Sequence, residues 1–401
     1  MKRCIVDIHI LQNVPPSNMN RDDTGTPKSA YYGGERRARV SSQAWKKATR
    51  ERFQQLLPPE ELGVRTKRVV EALAERITER DATVADNAVK LAEEVLSVAT
   101  GSKLEVPKRK AKGDDGSDRA TLPESKYLMF LSRRQLDALA DIAVVESDGG
   151  DPAILKAELK DKKKKVGARA RAAIDTRHSV DIALFGRMVA DAADLNVEAA
   201  AQVAHALSVH RSELESDYYT AVDDLSGDSE SGAGMIGTID FNSSTLYRYA
   251  AVDVDELHRN LGVGLDPEQS PSVPAAKALT SFLEAFITSL PTGKINTFAH
   301  HTRPSVVVVK LRERWPLSFV GAFETPVPRS ESGGFLRQSC EQLTTHMTEM
   351  ERAYGLDSDP TWVFRVGKET ESLAGLGGAL TLDALLGQVG SAVAERLESG
   401  A

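Results

Sequence analysis

Cysteine is nearly missing from this chain: Cys4 and Cys340 are the two in 401 residues. Far apart and unclustered, they offer neither a disulfide framework nor a zinc-ligand spacing, and a reducing cytoplasm is the expectation. Long uninterrupted apolar runs are missing too, so no membrane span is expected. The opening "MKRCIVDIHILQNV" is basic and then apolar, but Asp7 and His9 interrupt it and no small-residue cleavage site follows, so it reads as a strand rather than a secretion signal. No G-x-x-x-x-G-K-[ST] loop occurs, which excludes a P-loop. Ser41 and Ser42 lack a G-x-S-x-G setting, which argues against acyl transfer. His205 and His210 lie five apart in what reads as a helix, off one face, and His300-His301 has no carboxylate partner by spacing. No catalytic set, cofactor or metal site is therefore expected.

What is present is an uneven charge. The chain carries a formal −7, yet residues 1–57 hold 11 Lys and Arg against 5 Asp and Glu, leaving −13 for the remainder. The positive field is centred on "NRDDTGTPKSAYYGGERRARVSSQAWKKATRERF", residues 20–53. Ser41 or Ser42 supplies an N-cap for a helix running to about Leu57, where two prolines end it. At that N-terminus free backbone N–H groups and the helix dipole favour an anion, and Ser41, Ser42 and Gln43 add donors. Lys46 and Arg50 share one helix face, with Lys47 beside it. Arg21, Lys28, Arg36, Arg37 and Arg39 come from the loop and the short basic strand before it. Gly33-Gly34 either lets backbone approach a ligand or forms a turn. A solvated basic helix explains the helix alone equally well, but the added loop and strand favour a polyanion tracked along its backbone. Asp22 and Asp23 are candidates for a divalent cation, although adjacent loop aspartates more often cap a turn.

Alternation in "CIVDIHIL" puts Cys4, Val6, Ile8 and Ile10 on one strand face and leaves a second face, with Asp7 and His9, open to solvent or ligand. A Pro/Asn-rich loop follows. Residues 60–180 read as a charged, mostly helical insertion broken by "KLEVPKRKAKGDDGSDR" and "KAELKDKKKKVGARAR". "VDIALFGRMV" (180–189) reads as a strand, and "NVEAAAQVAHALSVHRSEL" as a helix. Residues 211–245 have the composition of a long hairpin with a Gly/Ser/Asp-rich tip. The segment 273–290 is an amphipathic helix with Leu279, Phe282, Leu283, Phe286, Ile287 and Leu290 on one stripe, and "SVVVVKL" is a short buried strand. The fold class expected is α+β, in an order compatible with a ferredoxin-like core. The Lys-rich run at 160–165 is either a solvated face or a non-specific duplex contact, and the sequence leaves both open.

"NRDD", "GGERRARVSSQAWKKA", "VDIALFGRM", "DYYTAVDDL" and "FNSSTLYRYA", in this order and spacing, resemble the CasC family. These are the crRNA-binding backbone subunits of type I-E CRISPR surveillance complexes (Cascade), within the RAMP superfamily. The resemblance implies an RRM-like palm (1–58, 180–210 and 246–401), helical fingers (59–179) and a β-hairpin thumb (211–245). It implies copies stacked head-to-tail along crRNA in a filament that does not close. Arg21, Lys28, Ser41, Gln43, Lys46 and Arg50 match palm positions that hold the crRNA backbone, and Met188 matches a residue packed on the splayed nucleotide. Tyr218, Tyr219, Thr220 and Ile236 match thumb positions that wedge the displaced base. Lys160, Lys162, Lys163, Lys164 and Lys165 resemble in position a cluster that touches target DNA. Further implied partners are the other Cascade subunits (large, small, 5′-end-binding and repeat-processing) and a recruited helicase-nuclease. The resemblance implies a non-catalytic protein. The rival is a metal-dependent ribonuclease of the same superfamily using Asp22 or Asp23.

Overall fold

The computed structural model describes residues 3–107, 111–112, 118–119, 122–189, 193–221, 235–263, 265, 268, 270–331 and 333–399. The chain is a mixed α+β protein that divides into two compact units: Met1–Phe53, Ala201–Val254 and Leu279–Ala401 form one, and Gln54–Ala200 with Asp255–Ala278 the other. Among the described residues no helix is long and apolar enough to cross a membrane.

The first unit is built on a ten-stranded sheet. Its central strand, Ile5–Ser17, pairs antiparallel with Met235–Asp253 on one side and Val306–Arg312 on the other. Beyond the former lie Ala206–Ser208, Glu35–Val40 and the edge strand Ser29–Tyr32; beyond the latter lie Thr361–Arg365 and Ala379–Leu380, a parallel pair. The expected strand "SVVVVKL" is present as Val306–Arg312, buried throughout. The expected helices form as Ser42–Leu56 and Ser272–Thr288. Buried Arg248 holds both against one sheet face. Its guanidinium carbon lies 3.7 Å from the Trp45 ring centroid and 4.5 Å from that of Phe286, and it donates to Gln12 Oε1 at 2.6 Å and to the Phe286 carbonyl. Burying this charge is tolerable only because aromatic faces and acceptors replace water.

The second sheet face corrects the reading of the first strand. It is covered by the chain itself and does not meet solvent. Phe319, Phe323 and the helix Leu336–Tyr354 cover it, with Cys340, Leu343 and Met347 packed on Leu11, Tyr247, Val306 and Val308. Asp7 and His9 are both fully buried. Asp7 accepts from Tyr249 Oη at 2.8 Å, Arg312 Nε at 3.0 Å and the Leu317 N–H at 2.9 Å. Arg312 also reaches Glu351 at 2.8 Å and Asp359 at 3.0 Å, so its burial is compensated within a charge network. Burial nevertheless raises the Asp7 pKa and drives that of His9 far down.

Three local expectations also yield to tertiary context. The strand runs on through Pro15 and Pro16 to Ser17, its register shifting between Val14 and Ser17, the kind of irregularity that accommodates proline in a sheet. "VDIALFGRMV" is not a strand: Val180–Phe185 is a helix, with Gly186 at φ 77° closing it. A short apolar run has no periodicity that separates the two. "NVEAAAQVAHALSVHRSEL" is not a helix, and His205 and His210 flank a strand. Ala201–Val203 pairs with Ala250–Val252, and Ala206–Ser208 bridges Met235–Asp253 and Glu35–Val40. The unpaired edges of those neighbours outweigh the helical preference of alanine.

The second unit contains the helical stretch expected over 60–180, and takes in residues 181–200 and 255–278 besides. Val69–Arg80, Ala88–Thr100, Arg133–Glu146, Pro152–Lys160 and Val166–Ile174 enclose a core of Leu73, Ile77, Leu91, Val95, Leu139 and Ile174. Ser132 and Gln135 cap the third of these reciprocally, each side chain accepting from the other's backbone N–H.

Candidate nucleic-acid interface

Asn20 organises the basic stretch. Its carbonyl accepts from the Lys28 N–H at 2.9 Å, and its side-chain Oδ1 accepts from the Ser41 N–H at 2.8 Å. The Lys28 carbonyl in turn accepts from the Arg39 N–H at 2.9 Å. One asparagine therefore ties the loop, the end of the basic strand and the helix entrance together, with Lys28 and Arg39 on adjoining backbone. Ser41 is the N-cap, its Oγ accepting from the Ala44 N–H at 3.3 Å. Ser42 donates to Gln43 Oε1 at 3.3 Å, and Gln43 is exposed at the helix start. Lys46 and Arg50 follow, half-buried, on that helix. Burial lowers the Lys46 pKa, a cost that a neighbouring phosphate would offset. Arg21 is exposed at the loop mouth, bridged to Pro27.

Arg37 does not belong with them. It is 0% exposed, and its guanidinium donates to the carbonyls of Ser208, Phe323 and Glu324 at 3.0, 2.9 and 3.0 Å. Alternation puts Arg36 on the opposite strand face, while Arg39, on the same face as Arg37, keeps partial exposure beside His205. The expectation that Arg37 joins the surface cations is corrected on that ground. Gly33 and Gly34, at φ 60° and 79°, form the turn between Ser29–Tyr32 and Glu35–Val40. A Cβ on Gly33 would sit 1.7 Å from the Glu324 carbonyl oxygen, so its close approach is to this chain's own backbone.

Asp22 caps the loop. Its Oδ1 accepts from Thr24 N–H at 3.0 Å, Thr24 Oγ1 at 2.7 Å and Thr26 N–H at 3.0 Å. These bonds, the Thr24 hydroxyl first, hold its pKa below the usual carboxylate range. Asp23 is exposed. Among the described residues no cluster of three or more His, Cys, Asp or Glu side chains is placed to hold a metal.

The loop is also fastened to the base of the expected hairpin. Asp240 accepts from Thr26 Oγ1 at 2.9 Å and from Ser216 Oγ at 2.7 Å, and its carbonyl accepts from Asn18 Nδ2 at 2.8 Å. The hairpin arms are Glu215–Ala221 and the first part of Met235–Asp253, with Tyr218 opposite Thr238, Tyr219 opposite Gly237, and Thr220 opposite Ile236. Tyr218 is 61% exposed and Tyr219 43%. The Tyr219 ring lies over Gly237, where a Cβ would come within 2.5 Å of it. The expected Gly/Ser/Asp-rich tip, 222–234, lies outside the described residues, as does part of "KLEVPKRKAKGDDGSDR".

Met188 and the lysine run fall in the second unit. Met188 is 82% exposed, rare for so apolar a side chain. Lys160, Lys162, Lys163, Lys164 and Lys165 are exposed around a turn in which Asp161 Oδ1 accepts from the Lys163 N–H at 2.8 Å, and Lys164 pairs with Glu158 at 2.6 Å.

Sequence reasoning missed Asn20, Asp240 and His205. His205 is exposed and its Nδ1 lies 3.2 Å from Arg39 Nη1. Nothing in the spacing linked residue 205 to residue 39; the pairing of Ala206 with Val40 does.

A family model described as CT1975-like protein matches residues 6–388. No curated protein matches the sequence. Two solved structures are similar along nearly the whole length. A chain of a "CRISPR RNA-guided surveillance complex, pre-nicking" is 33% identical with a TM-score of 0.78, covering 98% of this chain and 99% of that one. A chain of a "CRISPR RNA-guided surveillance complex" is 30% identical with a TM-score of 0.68, covering 97% and 99%. With both sequence and fold matched end to end, the chain belongs to the CT1975-like protein family.

Proposed function

We propose that this chain is a component of a CRISPR RNA-guided surveillance complex, and within it the non-catalytic backbone subunit of the type I-E kind that polymerises along crRNA. The observation that carries the reading is the knot at Asn20, which brings Lys28, Arg39 and the Ser41 helix entrance together ahead of Lys46 and Arg50. Such a set suits phosphates spaced along a single strand and is blind to sequence. Base pairing would then supply specificity toward target DNA, as in other RNA-guided systems. The sheet with its two helices plays the RRM-like palm, the helical region the fingers, and the Tyr218-Tyr219 hairpin the thumb that displaces a base. Met188 packs on the splayed nucleotide, and Lys160 to Lys165 meet target duplex. The other Cascade subunits and a helicase-nuclease complete the assembly.

The test is RNA binding across salt. Lys46→Ala with Arg50→Ala weakens binding to all guide sequences alike and flattens the salt dependence by about 0.7 in log–log slope for each phosphate left without its cation. A loss confined to particular spacers would contradict backbone tracking. The non-catalytic reading is supported by the three bonds Asp22 already accepts. Guide-loaded complexes with Mg²⁺ should leave complementary RNA intact, and cleavage abolished by Asp22→Ala or Asp23→Ala would favour the ribonuclease.

A further inference from the structure

We propose that His205 is a further contact of the RNA backbone, presenting a neutral imidazole N–H to a phosphate oxygen beside the cations Lys28 and Arg39; this rests on the guide-binding reading above. The tautomer follows from its neighbour. Arg39 Nη1, 3.2 Å from His205 Nδ1, has only protons to offer, so Nδ1 accepts and the proton of the neutral ring sits on Nε2. His205 is exposed in the bend between Ala201–Val203 and Ala206–Ser208, and the bend is held because the Ala204 N–H donates to the Tyr249 carbonyl at 3.0 Å. The Arg39 side chain is itself anchored, its Nε donating to the Ser29 carbonyl at 3.2 Å. The donor edge therefore stands on a fixed frame next to two positive groups. Partial burial, then Arg39 and Lys28, lower the imidazole pKa, which keeps the ring uncharged near neutral pH.

A neutral donor and a cation leave different marks on binding. A lysine that neutralises a phosphate releases a counterion, and a neutral imidazole releases none. The experiment measures binding of the full-length protein to a fluorescent single-stranded RNA of mixed sequence at pH 7.5, across a salt series. His205→Ala should weaken binding about ten-fold or more at every salt concentration, with the slope unchanged, as expected for removing one hydrogen bond to a charged group. His205→Gln, which keeps an N–H donor and an acceptor for Arg39, should recover most of that loss. Lys28→Ala should weaken binding and also flatten the slope. Unchanged affinity in His205→Ala beside a weakened Lys28→Ala would overturn the inference alone. A flattened slope in His205→Ala would overturn it too, by making His205 a cation. If neither variant changes RNA affinity, the inference fails together with the guide-binding reading beneath it.

Discussion

Single side chains in this protein separate structural from functional demands by what they need from a substitute. Asp22 needs only an oxygen acceptor if its role is the turn around Thr24 and Thr26. Asp22→Asn should then bind RNA like the wild type while Asp22→Ala binds more weakly; a cation site would lose its function in both, and an equal loss in the two variants seen only with Mg²⁺ would tell against the turn. His178 makes a comparable prediction for stability. Burial, then the nearby Arg187, pushes its pKa down to about 4, so the folded ring stays neutral while an unfolded one takes a proton below about 6.5. Stability present above pH 6.5 is lost as pH falls toward 4, by about 3 kcal/mol from this residue, and buried His9 acts in the same direction. Urea midpoints followed by circular dichroism from pH 7 to 4.5 should fall, and His178→Asn should flatten that limb. These roles were invisible in sequence because they depend on what surrounds the ring or carboxylate; the basic character of Lys28, Lys46 and Arg50 was legible because charge needs no context.

Elements were legible where one pattern had one solution. The helix Ser42–Leu56 begins at a serine cap and ends before two prolines, and Ser272–Thr288 buries Leu279, Phe282, Leu283, Phe286 and Ile287 of the stripe its spacing marks, with Leu290 just past its end. Ala201–Val203 and Ala206–Ser208 were not legible, since their strand state comes from partners about 40 to 50 residues later or nearly 170 residues earlier. The turn at Gly33 shows what an element junction demands. Its φ of 60° and the Glu324 carbonyl 1.7 Å from a would-be Cβ forbid a side chain. Gly33→Ala should cost about 2 kcal/mol or more, read as a lower denaturant midpoint, by forcing the basic hairpin away from residue 324. Gly34→Ala meets no neighbouring atom and should cost only the positive-φ strain. Equal midpoints for the two variants would contradict the contact.

For the molecule as a whole, the α+β class and the helical second region followed from composition and periodicity, whereas the covering of the second sheet face did not. That cover is assembled from Phe319, Phe323 and residues 336–354, too far along the chain for any local pattern to announce. If the chain coats a guide in repeated copies, co-expression with its partner subunits and a repeat-spacer array should yield a particle carrying RNA of uniform length. RNA-free monomer under those conditions would contradict the proposal. Tyr218→Ala with Tyr219→Ala should disturb the spacing of copies more than the RNA affinity of one copy, measured by nuclease footprint against equilibrium binding. The strand Met235–Asp253 gives the chain a mechanical property. Its first residues form one hairpin arm and its last lie mid-sheet beside Ile5–Val14. A pull along that arm therefore loads the sheet's ladder in shear, many bonds at once, instead of unzipping them singly, and the part that would grip a neighbour is spliced lengthwise into the part of the subunit hardest to tear.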